Sequence, residues 1–203
     1  ADVNTKSADG LTPLHDAAYN GHTGAVKLLI EKGADMDARD VDGWTPLHCT
    51  AELGRTNIAK LLFKNGADIN ARNSRHQTPL HRAACSGHSR MVNLLIENGA
   101  DINARNNDGQ TPLHCVAEFG RAEVAKLLLK EGDPNIQDEQ ERTPLHYAVE
   151  FGRAEVARLL LRSGADSKVE DNDSSTPLDI AHGMRHKNIA RMLENVKRGG
   201  RGS

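Results

Sequence analysis

With 203 residues, the chain has room for one large domain or two small ones, and its 37% hydrophobic and 3% aromatic content rests any core on Leu, Ala, Val and Ile. The 26 basic and 28 acidic residues lie along the whole length for a net charge of −2, which argues against nonspecific binding to nucleic acid or to an anionic membrane. There is no long apolar run and no charged-then-apolar leader, and three cysteines make no disulfide framework. The expectation is a soluble protein of a reducing, intracellular and cytoplasmic compartment.

The chain opens with "ADVNTKSADG" and then enters a recurrent phrase. Thr-Pro-Leu begins at Thr12, Thr45, Thr78, Thr111, Thr143 and Thr176, at spacings of 33, 33, 33, 32 and 33 residues. A second phrase keeps step with it: "GADMDAR", "GADINAR" twice, then "GDPNIQ" and "GADSKVE". Thr before Pro predicts a helix start, because Thr can cap an open N–H and Pro at the first helical position has none to leave unpaired. In the second unit that helix runs from Pro46 and stops by Gly54. A second helix carries Ile58, Leu61 and Leu62 on one face and ends at Gly66, a fitting left-handed cap. The Asp-, Asn- and Gly-rich stretch that follows predicts a hairpin turn. Both helices fall short of the ~12–15 residues an isolated helix needs, so each unit must stack on its neighbours.

These phrases, "TPLHxAA", "G(H/R)", "LL" and "GADxNA" on a period of 33 residues, resemble the ankyrin repeat family over roughly residues 1–197. The resemblance implies an all-α solenoid of stacked helix-turn-helix units with projecting β-hairpin turns. The units fall at about 7–39, 40–72, 73–105, 106–137, 138–170 and 171–197, leaving 198–203 as a flexible tail or a cloning scar. It also implies that a partner is gripped by the hairpin tips and the inner face of the first helices.

The repeated "TPLHC" of Thr45–Cys49 and Thr111–Cys115 raises the question of catalysis or metal binding. His15, His48, His81, His114 and His146 recur once per unit, so equivalent rings lie about 8–10 Å apart in a helical stack. A zinc ion needs its ligands within ~2–2.3 Å, so these positions predict a structural imidazole joining repeats and no metal. Asp179 fills the slot in the last unit, which suits a terminal repeat. A Cys beside a His on a helix points about 100° away from it, so no nucleophile pair is expected. Neither a phosphate loop nor a paired-carboxylate site is present, so no enzyme activity and no cofactor is expected.

The slots that vary carry the candidate partner surface. Trp44, the single Trp, stands where Leu11, Gln77, Gln110, Arg142 and Ser175 stand elsewhere. An aromatic at a slot where the framework requires nothing apolar is a candidate interface anchor. Around it the candidate set comprises Tyr19, Val41, Asp42, Glu52, Leu53, Arg75, Gln77, Gln110, Phe119, Arg142 and Phe151. Phe119 and Phe151 lie in identical "EFGRAEVA" segments and read equally as packing between first helices or as exposed to a partner.

Three features depart from the pattern. The hairpin Gly of Gly10, Gly43 and Gly109 is replaced by His76, Glu141 and Ser174. "KEGDPNIQ" lacks one Ala, a loss expected to be absorbed in the turn after Gly132, helped by Pro134. The chain starts mid-repeat, which suggests excision from a longer array. The reading is a monomeric, non-enzymatic module that binds another protein. The alternatives are an artificial or re-engineered binding scaffold, or the targeting arm of a larger enzyme or channel.

Overall fold

The computed structural model describes residues 2–199, with side chains through Val196. Its twelve helices alternate as first and second members of a pair, and the described residues contain no strand. The chain divides into two compact units at Asn107/Asp108. Unit one holds α1 (Pro13–Asn20), α2 (Thr23–Glu31), α3 (Pro46–Glu52), α4 (Thr56–Lys64), α5 (Pro79–Ser86) and α6 (Ser89–Glu97). Unit two holds α7 (Pro112–Phe119), α8 (Ala122–Leu128), α9 (Pro144–Glu150), α10 (Ala154–Arg162), α11 (Pro177–Gly183) and α12 (Lys187–Gly199). Because α12 continues to Gly199, the tail expected at 198–203 is helical at its first residues, and 200–203 lie outside the described residues.

The first helices start as their sequence dictates. Thr45 is extended (φ −99°, ψ 164°), Pro46 opens the helix, and the Thr45 and His48 side chains close a reciprocal capping box. In unit one the first helices α1, α3 and α5 pack on one another, as do the second helices α2, α4 and α6. Unit two repeats the arrangement with α7, α9, α11 and with α8, α10, α12. Leu14, Leu47, Leu80 and Leu145 are fully buried at the base of the first helices, with Ile58, Leu62, Leu95, Leu128 and Leu160 from the second. Burying each such side chain contributes about 1.5–3 kcal/mol.

Two links, one between backbones and one through an Asn side chain, join neighbouring repeats on the hairpin side. Each hairpin's leading Asp or Asn holds its own turn: Asp40 Oδ1 accepts from the amides of Asp42 and Trp44 at 3.0 and 2.8 Å. Asp138 and Asp171 do the same in unit two. Successive tips are then tied by one backbone–backbone bond each, as Ser74 N–H to the Asp42 carbonyl and Asn172 N–H to the Gln140 carbonyl. One backbone bond per step makes a chain of turns and no ladder, which is why the described tips carry no strand. On the other link, Asn70 Nδ2 donates to the Gly99 carbonyl while its Oδ1 accepts from Asp101 N–H.

The replaced hairpin glycines keep the conformation of the residues they replace. His76, Glu141 and Ser174 have φ of 55°, 57° and 57°, beside 77°, 74° and 76° at Gly10, Gly43 and Gly109.

The missing residue is absorbed differently from the sequence expectation. Helices α2, α4, α6 and α10 have nine residues and end before a left-handed Gly, after which Ala34, Ala67, Ala100 and Ala165 bond back to Leu29, Leu62, Leu95 and Leu160. Helix α8 has seven. The loss comes out of its last turn, where Gly132 N–H closes directly on the Leu128 carbonyl at 2.7 Å. Gly132 is not among the glycines at positive φ, so the left-handed closure of the other second helices is not made and the chain leaves the helix early.

Candidate protein-interaction surface

In His15, His48 and His114 the framework occupies both ring nitrogens. Thr45 N–H donates to His48 Nδ1 at 3.2 Å, so Nδ1 is the unprotonated nitrogen and Nε2 carries the hydrogen. Nε2 then donates to the Gln77 carbonyl of the next repeat at 2.9 Å. His15 reaches the Trp44 carbonyl and His114 the Arg142 carbonyl in the same way. Burial presses the His48 pKa down to about 4. At His146 the Nε2 has no hydrogen-bond partner, and burial lowers the pKa of that ring too. Asp179 keeps half the role, accepting from Thr176 N–H at 3.0 Å.

No disulfide joins the three cysteines, and burial pushes the Cys49 thiol up to about 12, where it is protonated at neutral pH. Among the described residues no group of three His, Cys, Asp or Glu side chains is placed to hold a metal ion.

What the framework leaves over is a surface of tips and first helices in each unit. In unit one Trp44 is half-buried, its ring 6.0 Å from His48. The Arg82 guanidinium lies 5.0 Å over the Trp44 ring and donates from Nε to Glu52 Oε2 at 2.9 Å. Gln77 Oε1 accepts from Arg82 at 3.4 Å, and Arg75 and Asp42 stand exposed at the adjoining tips. A small cleft of about 200 Å³ runs between them. Val41 is 69% exposed and Tyr19 54%, whereas Leu53 is half-buried. The structure thus brings Trp44, Glu52, Gln77 and Arg75 together around Arg82. Sequence reasoning missed Arg82, although its place in "TPLHR", four residues after the capping Thr, was the available signal.

In unit two the equivalent surface is built on Tyr147. Its hydroxyl donates to Asp138 Oδ2 at 2.7 Å and accepts from Gln110 Nε2 at 2.8 Å. Arg142 lies 4.5 Å over the Tyr147 ring and pairs with Glu150 at 2.5 Å. Phe151 stacks on Tyr147 with centroids 6.4 Å apart, yet 42% of it stays exposed, and Phe119 is 46% exposed. Both phenylalanines are therefore partly open to solvent. Partial burial, and then the nearby Glu150 carboxylate, raise the pKa of Glu118.

Among the described residues no helix is long and apolar enough to cross a membrane. A family model of ankyrin repeats, three copies to a match, fits residues 1–73, 72–138 and 128–198. A 33-residue segment is 61% identical to ankyrin repeat domain-containing protein 49 of Bos taurus. That segment is 16% of this chain and 14% of the relative, so the likeness spans about one repeat of a longer protein.

Proposed function

The chain belongs to the ankyrin repeat family, and from that premise we propose that it is a non-enzymatic, monomeric module that binds another protein through its hairpin tips and first helices. Ankyrin repeats are protein-interaction modules as a family, and here tip and first-helix side chains such as Val41, Asp42 and Arg75 stand exposed. The observation that carries the reading is the Trp44–Arg82 pair: a half-buried indole beneath a guanidinium, next to exposed Val41 and Arg75. Trp and Arg held in one place before binding lose little side-chain freedom on association, and these residue types dominate interface energetics. Tyr19, Leu53, Phe119 and Phe151 extend the same surface within their units. The three reduced thiols support an intracellular, cytoplasmic setting.

Trp44 is the single Trp, so its emission reports directly on this surface. A partner identified by crosslinking is expected to shift that emission on titration. Trp44→Ala should weaken the complex by at least about 2 kcal/mol. A loss of a few tenths of a kcal/mol, with the fold intact, would place the anchor elsewhere.

A further inference from the structure

The two units treat one equivalent position in opposite ways. In unit one Glu52, at the end of α3, receives its cation from Arg82 on the next first helix. In unit two Glu150, at the end of α9, occupies the place of Glu52, and the residue four after the next capping Thr is Ile180. No guanidinium comes across from α11. The space that Arg82 fills in unit one is open in unit two: the cleft beside Arg82 measures about 200 Å³, and the groove beside Ile180 about 620 Å³. Its floor is apolar, with Ile180 half-buried and Met184 51% exposed. Its walls bring four carboxylates, Glu150, Asp171, Asp173 and Asp179, and one guanidinium, Arg142. Arg142 is already engaged with Glu150 and the Tyr147 ring.

We propose that this groove, between α9 and α11 beneath the tips at Gln140 and Asp173, receives an arginine side chain from an extended segment of the partner protein. The inference rests on the protein-binding function proposed above and names the chemistry of one contact. The methylene stem covers Ile180 and Met184, and the guanidinium meets the carboxylate rim. The chain itself shows the fit, since Arg82 beside Glu52 is the same arrangement made internally. A planar guanidinium suits a carboxylate wall better than a point ammonium. A segment with Leu after the Arg supplies apolar contact for the exposed Met184.

The test titrates the peptide acetyl-Gly-Ser-Arg-Leu-Ser-Gly-amide into the isotope-labelled full chain, with the Arg-to-Glu peptide as control. Amide shifts confined to 171–175 and 180–184 are expected from the arginine peptide alone. Ile180→Arg should fill the groove from within and cut affinity at least about tenfold. Asp173→Lys, at an exposed tip where the fold is not at stake, should act in the same direction. Equal shifts from the glutamate peptide, shifts confined to other residues, or unchanged affinity in Asp173→Lys would overturn the proposal. If the peptide fails while Trp44→Ala still weakens a protein partner, the groove assignment falls and the binding function stands. If the peptide binds the groove while no protein partner responds to Trp44→Ala, the groove stands and the Trp44 surface falls.

Discussion

His48 donates from Nε2 to the carbonyl of Gln77 at 2.9 Å, so a side chain of one repeat holds the backbone of the next. The companion bond at Nδ1 requires a neutral ring, because there the ring accepts from the Thr45 amide. Protonating Nδ1 would set one hydrogen against another. Burial is the largest cause of the depressed pKa, about 4 against an ordinary 6.5. The folded pKa lies below the unfolded one, so the contribution is complete above pH 6.5 and declines as the unfolded chain takes up its proton. It is gone below about pH 4. The difference corresponds to roughly 3 kcal/mol for this ring, with His146 acting in the same direction.

The urea midpoint is therefore expected to fall between pH 6.5 and 5, above the range where ordinary carboxylates titrate. His48→Leu should be less stable at pH 7 but should show a flatter slope in that window. A midpoint that does not move from pH 7 to pH 5 would contradict a buried neutral ring.

Asp37 is the one place where the Asn link of unit one is half made. Asn4 and Asn70 each donate Nδ2 to a glycine carbonyl in the next repeat, at 3.3 Å to Gly33 and Gly99. Asp37 accepts from the Asp68 amide at 2.9 Å, but a carboxylate has no hydrogen to give Gly66. Asp37→Asn should raise the unfolding free energy by about 0.5–1.5 kcal/mol. Chemical denaturation checks this, and a loss of stability would mean that the Asp37 charge is worth more than the added bond.

Most of this framework was legible in the sequence because the period made every position comparable with five others. The cap at Thr45-Pro46, the joining role of His48 and the left-handed Gly66 each follow from local rules of helix start, imidazole bonding and helix end. The inner surface was legible only in part. Trp44 stood out by type, but Arg82 is an unremarkable residue until α3 and α5 bring it over the indole of Trp44, too far along the chain for local rules to weigh. Helix α8 was misread for a related reason. The length of the phrase after Leu128 does not say whether helix or turn gives way, since that depends on which closing bond remains.

The hairpin position tests backbone strain in both directions. Glu141 holds φ 57°, a region L side chains enter at a cost of roughly 1 kcal/mol. Glu141→Gly should recover about that amount. Gly43→Ala should lose more than the same ~1 kcal/mol, because the added Cβ would also lie 2.8 Å from the backbone nitrogen of Ser74. Thermal unfolding of the two variants checks the pair, and equal and small effects would show that neither turn is strained.

The shortened α8 makes a sharper prediction about local order. Restoring an Ala between Gly132 and Asp133 returns the spacing at which, elsewhere, the Ala amide reaches back over a left-handed Gly, as Ala100 reaches Leu95 at 3.0 Å. The helix can then run to nine residues like α6 and α10. The amides of Lys130 and Glu131, now bonded only to the third residue back at 3.3 Å, should gain hydrogen-exchange protection, and the urea midpoint should rise. The gain has a physical limit: Pro134 still fixes one backbone angle, and its φ of about −65° must suit the residue after the new closure. An inserted residue that merely loops out would leave those amides exchanging as before and would lower stability slightly. That result would mean the seven-residue helix is set by the packing of Leu128 and Val124, and that the missing Ala followed from it.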